Sequence, residues 1–254
     1  MKSLFLSILV FITQSISQVT DSTHKIDHLY PSPNLEIKYQ QDWQKIPFNN
    51  RLNDFRKKPI GYNKIVFLGN SIIEAGHNWN EKFAVDNIVN RGITGDFSEG
   101  VLARLDEIIY YNPLAVFVLI GINDIFDDHS RRQEITPQYV ANNIKRIAKK
   151  IKSKCRNTKI FIQTIIPVDT LKFMDFYDRQ LPIYKLSLND QINEINLLIK
   201  DKKNKEYSII DLHSSFVDER GLMNGKYTTD GVHLNDTGYS IWVGYIEKYI
   251  LSFN

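Results

Sequence analysis

The feature that most constrains the fold of this chain is the apolar run Ile65–Gly69, which ends at a glycine and continues into Asn70 and Ser71. A short apolar run without polar alternation predicts a strand buried on both faces, as in a parallel sheet. Ser71 would then follow the carboxyl end of that strand, the edge where open parallel sheets bind ligands. We therefore consider Ser71 a candidate nucleophile, with helix capping as the alternative role.

From residue 64 onward, strand-like and helix-like segments alternate along the chain. This pattern predicts a parallel sheet covered by helices on both faces, with right-handed crossovers. The predicted fold class is therefore α/β, a three-layer α/β/α arrangement with a flavodoxin-like sheet of five strands in the order 2-1-3-4-5. The predicted strands are 65–69, 86–90, 115–120, 159–166 and 207–211, and the predicted helices are 72–83, 97–111, 137–155, 188–204 and 236–251.

The 254 residues, 43% of them hydrophobic, are enough for one sizeable core. Residues 1–17 have a basic start, a short apolar stretch and small residues at their end, which predicts a signal peptide and a secreted or periplasmic protein. A retained membrane anchor is the alternative. We expect a loose N-terminal arm with one or two short helices over 18–60, and the main domain over 61–254.

The formal net charge of +3 is small for a chain of this length. It favours neither a nucleic-acid partner nor a membrane partner. With one cysteine, Cys155, and six histidines spread along the chain, no metal site and no cofactor are predicted. The sequence does not indicate the oligomeric state.

Three further blocks join Gly69-Asn70-Ser71 in sequence order. They are Asn90-Arg91-Gly92-Ile93-Thr94-Gly95-Asp96, Gly121-Ile122-Asn123-Asp124 and Asp230-Gly231-Val232-His233. Together the four blocks resemble those of the SGNH hydrolases, also called the GDSL-type esterase and lipase family. The resemblance runs from about residue 64 to residue 250, and it implies the same fold and a serine esterase activity.

A serine hydroxyl needs a neighbouring base, and His233 is the best candidate because histidine accepts and returns protons near neutral pH. Asp230 precedes it by three residues, which within a helical turn would place both side chains on the same side. The aspartate could then orient the imidazole. By resemblance, the oxyanion donors are the backbone N–H groups of Ser71 and Gly95 and the side-chain amide of Asn123.

The chain departs from the family pattern at Asn70, where the first block usually has an aspartate. Asparagine is nearly isosteric with aspartate and can still bind backbone groups, so we expect little loss. Asp124 is expected to hold the loop that carries Asn123.

Residues 168–187 form a long predicted connection at the ligand-binding edge, and such excess length is often functional. Aromatic and hydrogen-bonding side chains alternate in it, which suits a sugar ring better than a long acyl chain, although the aromatic rings could simply pack the loop onto the domain. We therefore expect short acyl esters, with O-acetyl groups on carbohydrate as the leading substrate, and Tyr177 and Arg179 as substrate-binding residues. The alternatives are a lysophospholipase or thioesterase, and a noncatalytic module that binds carbohydrate or phosphate.

Overall fold

A five-stranded parallel sheet forms the centre of the protein. The computed structural model describes residues 26–126, 133–200 and 204–253. The strand order is β2-β1-β3-β4-β5, which confirms the predicted topology. The strands are β1 (Ile65–Gly69), β2 (Ile88–Gly92), β3 (Ala115–Leu119), β4 (Lys159–Gln163) and β5 (Ser208–Ile210).

Helices cover both faces of this sheet and separate the buried side chains into two apolar clusters. After a 3₁₀ turn at Asp27–Leu29, the helices of the described residues are α1 (Asp42–Lys57), α2 (Ser71–Glu74), α3 (Trp79–Phe83), α4 (Ser98–Ala103), α5 (Asp106–Tyr111), α6 (Ile122–Ile125), α7 (Pro137–Lys154), α8 (Thr170–Tyr177), α9 (Leu188–Ile199), α10 (His213–Phe216) and α11 (Asp236–Leu251). The predicted three-layer α/β/α class is therefore confirmed.

Two predicted helices are each interrupted. The segment predicted as 72–83 is divided into α2 and α3 because His77 has a positive φ of 50° and the ring of Trp79 packs where a side chain at Gly76 would lie. The segment predicted as 97–111 is divided near Arg104, whose guanidinium turns back to pair with Asp96 at 2.7 Å. Both interruptions leave the order of the layers unchanged.

The sheet register brings the carboxyl ends of the first three strands together. Gly69 at the end of β1 pairs with Gly92 of β2 and with Leu119 of β3. A Cβ atom at Gly69 would lie only 2.1 Å from the carbonyl oxygen of Leu119, so this approach requires glycine. The loops after these three strands therefore begin at one edge of the sheet.

The N-terminal arm is more ordered than the sequence indicated. In place of one or two short helices, the described part contains the 16-residue helix α1. Its buried Phe48, Leu52 and Phe55 belong to the same apolar cluster as residues of the sheet. The boundaries of arm and main domain stay a prediction.

The predicted signal peptide, residues 1–17, lies outside the described residues. Within the part of the chain that is described, no helix is both long enough and apolar enough to cross a membrane.

Candidate active site

Ser71 is the first residue of α2, directly after the carboxyl end of β1. Asn70 caps this short helix, because its side-chain oxygen accepts a hydrogen bond from the N–H of Ile72 at 3.1 Å. The side chain of Ser71 is thereby held at the edge of the sheet. Its Oγ lies 3.0 Å from Nε2 of His233, although the two residues are 162 positions apart in sequence.

His233 and Asp230 meet in a turn that is not helical. Gly231 between them has a φ of +90°, which is outside the right-handed helical region. A Cβ there would lie 2.3 Å from the carbonyl oxygen of Asp169, so this turn requires glycine. The Asp230 carboxylate instead accepts the backbone N–H groups of Val232 at 2.9 Å and of His233 at 2.7 Å. The predicted proximity is therefore present, but it is produced by an aspartate-centred turn.

The imidazole of His233 connects the serine to the aspartate. Its Nδ1 lies 2.6 Å from Oδ2 of Asp230, while its Nε2 faces Ser71. With the carboxylate ionised, Nδ1 carries the proton and Nε2 is left free to accept one. The side chain of Asp230 is only 5% exposed, whereas that of His233 is 37% exposed and can face a substrate.

Four hydrogen bonds stabilise the carboxylate of Asp230. Burial alone would raise its pKa, but the hydrogen bonds from the ring and backbone of His233 and from the hydroxyl of Tyr177 lower the pKa below its ordinary value. The Tyr177 bond measures 2.7 Å. Asp230 is therefore ionised at neutral pH and can stabilise a positive charge on the imidazole.

Three potential oxyanion donors are held by the loops after β1, β2 and β3. Ser71 is at a position where the N–H has no partner inside its helix, and the N–H of Gly95 donates to no atom of the described residues. The side-chain nitrogen of Asn123 lies 2.8 Å from the carbonyl oxygen of Asp96, which uses one of its two hydrogens. Each of the three groups thus has a hydrogen available.

The loop that carries Gly95 is fixed from two directions. Arg104 pairs with the buried carboxylate of Asp96 and also donates to the carbonyl oxygen of Gly69 at 3.1 Å. From helix α1, the buried side chain of Gln44 donates to the carbonyl oxygen of Gly95 at 2.7 Å. The position of Gly95 therefore depends on the N-terminal arm as well as on the sheet.

Asp124 holds the loop that carries Asn123, as the sequence predicted. Its buried carboxylate accepts hydrogen bonds from the backbone N–H and the hydroxyl of Ser98 at the start of α4. Burial raises the pKa of Asp124 to about 7, despite the lowering effect of these bonds. The charge of Asp124 is therefore sensitive to pH close to neutrality.

Of the predicted substrate residues, Tyr177 is the last residue of α8, a helix within the segment predicted as a connection, and Arg179 follows two residues later. The hydroxyl of Tyr177 donates to Asp230, and the residue is still 45% exposed. The guanidinium of Arg179 lies 5.7 Å from the centre of the Phe173 ring. Their role in substrate binding stays a prediction.

The model of the GDSL-like lipase/acylhydrolase family matches residues 67–241, which includes all four motif blocks. The chain belongs to this family. The match confirms the resemblance to SGNH hydrolases, and it shows that the chain is a carboxylic ester hydrolase.

The chain is also similar to individual relatives and to solved structures. The chain is 23% identical over 215 residues to human platelet-activating factor acetylhydrolase IB subunit alpha1, covering 83% of each protein. It is 27% identical over 217 residues to N-acylneuraminate cytidylyltransferase from Escherichia coli, of whose length it spans 46% while 82% of this chain is covered. A solved structure described as a platelet activating factor from Streptococcus pneumonia has a TM-score of 0.68 at 25% identity, covering 82% of this chain and 95% of the other.

Asn70 is the departure of this GDSL-like chain from the usual motif. Its side-chain oxygen caps α2, but its side-chain nitrogen is buried and has no partner among the described residues. An aspartate at this position would have no hydrogen to leave unpaired. The helix cap is thus retained, while the asparagine carries the cost of one buried donor.

Sequence reasoning missed three contributions to this family site. Gln44 supports the carbonyl of Gly95, the exposed ring of Trp43 lies against Gly95, and the hydroxyl of Tyr177 bonds to Asp230. The helical spacing of Phe48, Leu52 and Phe55 was only a partial signal for α1, because polar residues surround this stripe. No group of three His, Cys, Asp or Glu side chains within 26–126, 133–200 and 204–253 is arranged to hold a metal ion.

Proposed function

We propose that the chain hydrolyses small acyl esters, with O-acetyl groups on carbohydrate as the leading substrate class, through Ser71, His233 and Asp230. The observation that carries this proposal is the continuous contact from Ser71 Oγ to His233 Nε2 at 3.0 Å and from His233 Nδ1 to Asp230 at 2.6 Å. This arrangement can remove the hydroxyl proton as the oxygen attacks.

In the first half-reaction, Ser71 Oγ bonds to the carbonyl carbon while its proton passes to Nε2 of His233. The carbonyl oxygen becomes an oxyanion that accepts hydrogen bonds from Ser71 N, Gly95 N and the Asn123 amide. The bond to the alcohol oxygen then breaks, and His233 returns the proton to that oxygen. The alcohol leaves and an acyl-serine ester remains.

The second half-reaction repeats these steps with water. His233 takes a proton from the water as its oxygen attacks the acyl carbon, and the same donors stabilise the second oxyanion. Collapse of this intermediate breaks the bond to Ser71, which regains its proton from His233. Asp230 stays ionised throughout and stabilises each imidazolium.

Two observations support an acetyl group and a ring-shaped alcohol. The human relative is named an acetylhydrolase, which favours a two-carbon acyl group. The exposed ring of Trp43 lies beside Gly95, a proposed oxyanion donor, and the exposed ring of Tyr177 lies beside Asp230, the proposed triad carboxylate. Flat exposed aromatic rings at a polar site provide apolar surface for the faces of a sugar.

A second candidate is a lysophospholipase or thioesterase that uses the same three residues. It is favoured by the exposed apolar side chains of α8 and the segment after it, which include Leu171, Phe176 and Ile183. Such side chains could contact a longer acyl or lipid tail. The two candidates differ in how rate depends on acyl length.

The test measures kcat/KM for p-nitrophenyl esters from two to twelve carbons, together with acetate release from acetylated xylan. We expect the acetyl ester to be the best of the series and acetate to be released from the glycan. A steady rise in kcat/KM toward twelve carbons would favour the second candidate. In the same assays, Ser71→Ala should abolish both hydrolysis and labelling by an organophosphonate, and a fully active Ser71→Ala variant would refute the serine mechanism.

We also propose that the protein is secreted after removal of residues 1–17. The support is the basic Lys2, the apolar stretch 4–12 and the small residues at 15 and 17. Sequencing the N-terminus of protein recovered outside the producing cells should give a start near residue 18. Recovery of the chain only in the membrane fraction with Met1 retained would favour the anchor.

A further inference from the structure

Helix α8 is attached to the turn that carries Asp230 and His233. The N–H of Asp169, directly before α8, donates to the carbonyl oxygen of Gly231 at 2.8 Å. The ammonium of Lys172 donates to the carbonyl oxygen of Thr228 at 2.8 Å. With Tyr177 bonded to Asp230, the helix contacts the turn at its beginning, its middle and its end.

The hydroxyl of Tyr177 and the imidazole of His233 share one acceptor. Both lie within hydrogen-bond distance of Oδ2 of Asp230, at 2.7 Å and 2.6 Å, while the other oxygen accepts two backbone N–H groups. A donor on Oδ2 withdraws negative charge from the atom that faces the imidazole. The strength of the Asp230–His233 contact therefore depends on Tyr177.

The ring of Tyr177 is held in place by aromatic packing. Its centre lies 4.7 Å from that of Phe173 and 5.0 Å from that of Phe176. Burial and the Asp230 carboxylate raise the pKa of the Tyr177 phenol to about 12. The hydroxyl consequently stays protonated, and able to donate, across the pH range in which a histidine-dependent esterase works.

The charged side chains of Lys172 and Asp169, which lie near the turn of Asp230 and His233, have partners outside these two residues. From α8 and its cap, Lys172 binds backbone carbonyls, and the carboxylate of Asp169 caps the helix and lies 3.8 Å from Arg220. Within the described residues, none of these three groups has a hydrogen bond or ion pair with Asp230 or His233. From α2, the group facing the imidazole is the hydroxyl of Ser71.

We propose that Tyr177 is a positioning residue that fixes the Asp230 carboxylate and limits its attraction for the imidazolium form of His233. This inference rests on the proposed roles of Asp230 and His233. It gives helix α8 a function in setting the pH range of the esterase, in addition to any contact with substrate. Tyr177 acts here through Asp230 and needs no contact with the reacting atoms.

The test compares Tyr177→Phe with Tyr184→Phe on p-nitrophenyl acetate. Phenylalanine retains the packing of Tyr177 and removes only its hydroxyl. Tyr184 is a matched control on the same segment, because its hydroxyl donates to the carbonyl oxygen of Phe126 and not to Asp230. We expect Tyr177→Phe to lower kcat roughly threefold to tenfold with KM unchanged, because the Asp230 carboxylate is held less firmly. This loss is well short of the ~10⁴-fold effect of losing a triad carboxylate.

The pH profile separates positioning from a structural role. Without the Tyr177 hydroxyl, Oδ2 is more negative and favours the protonated imidazole, so the acid limb of kcat/KM should move to higher pH by roughly half a unit. Tyr184→Phe should leave the limb in place. A Tyr177→Phe profile that superimposes on the wild-type profile, or an equal shift in both variants, would overturn the proposal.

A spectroscopic measurement makes the test independent of activity. In the Ser71→Ala background, the proton between His233 Nδ1 and Asp230 should give a far-downfield NMR signal. Adding Tyr177→Phe should move this signal further downfield, because Oδ2 loses its competing donor. An unmoved signal would refute the role of Tyr177, whereas retained activity in Ser71→Ala would refute the proposed function and leave the NMR result interpretable.

Discussion

Replacing Gly95 with alanine tests the oxyanion site most sharply, because two separate effects can be worked out from the structure. Gly95 has a φ of +77°, a left-handed conformation that costs an alanine ~1–2 kcal/mol. An added Cβ would also lie 2.6 Å from Cζ3 and 2.7 Å from Cη2 of Trp43. Because the Trp43 side chain is half exposed, its ring can withdraw outward.

Gly95→Ala is expected to displace the backbone N–H of residue 95 and not to remove it. Loss of an oxyanion donor lowers kcat by roughly 10²–10³, so we expect Gly95→Ala to lower kcat by roughly tenfold to a hundredfold with little change in KM. The backbone strain should lower the melting temperature by roughly 2–8 °C for a chain of this size. Both values are measured with p-nitrophenyl acetate and by thermal unfolding.

A control variant and a double variant separate the two causes of the expected losses in kcat and stability. Gly221→Ala is the matched control, since Gly221 has a φ of +76° and a Cβ there would meet nothing within 4 Å. Trp43→Ala in the Gly95→Ala background removes the steric overlap and leaves the left-handed strain, so kcat should recover in part, while stability should not return fully. A folded Gly95→Ala variant with wild-type kcat would refute the placement of Gly95 N–H in the oxyanion site.

Four further outcomes follow from the site. Asn123→Ala should lower kcat by roughly 10²–10³ with KM nearly constant, as steady-state kinetics would show, and a raised KM at constant kcat would indicate a ground-state contact instead. His233→Ala should be nearly inactive and Asp230→Asn less severely impaired, whereas an Asp230→Asn variant with unchanged rate and pH profile would mean that a Ser-His dyad suffices. Because the folded-state pKa of Asp124 is raised to about 7, above its unfolded value of about 3.9, the folded protein holds the extra proton and the free energy of unfolding should fall as pH rises from about 4 to about 7. Urea titrations of Asp124→Asn should show a flatter pH dependence, and an unchanged slope would contradict this assignment. Arg179→Ala should weaken hydrolysis of acetylated glycans more than that of p-nitrophenyl acetate, and equal losses would argue against a contact with the alcohol.

The sheet could be predicted from sequence because its strands are apolar on both faces. Val66, Phe67 and Leu68 are fully buried, as is required of a central parallel strand, and the signal is therefore local and continuous. Helix boundaries were less predictable where a tertiary contact ends a helix. The turn at Arg104 arises from its pairing with Asp96, which no local pattern encodes.

Helix α1 shows a different limit. Its buried positions Gln44, Phe48, Leu52 and Phe55 recur at helical spacing, but charged residues and an internal proline surround them. A single apolar stripe on an otherwise polar segment indicates a helix only if something covers the stripe. The groups that contact this stripe, such as Arg91 of β2 over the ring of Phe55, are distant in sequence, so the sequence alone favoured a loose arm.

The hydrogen bonds of Asp230 show how far a local motif can predict a site. Three of its partners lie within three residues: the N–H groups of Val232 and His233 and the ring of His233. These follow from the spacing of one short block, which is why the block could be identified. The fourth partner, Tyr177, is 53 residues away on a helix whose position depends on packing against the turn. A motif therefore identifies the residues of the proposed chemistry, whereas the contact inferred to tune their pH range is supplied by the tertiary fold.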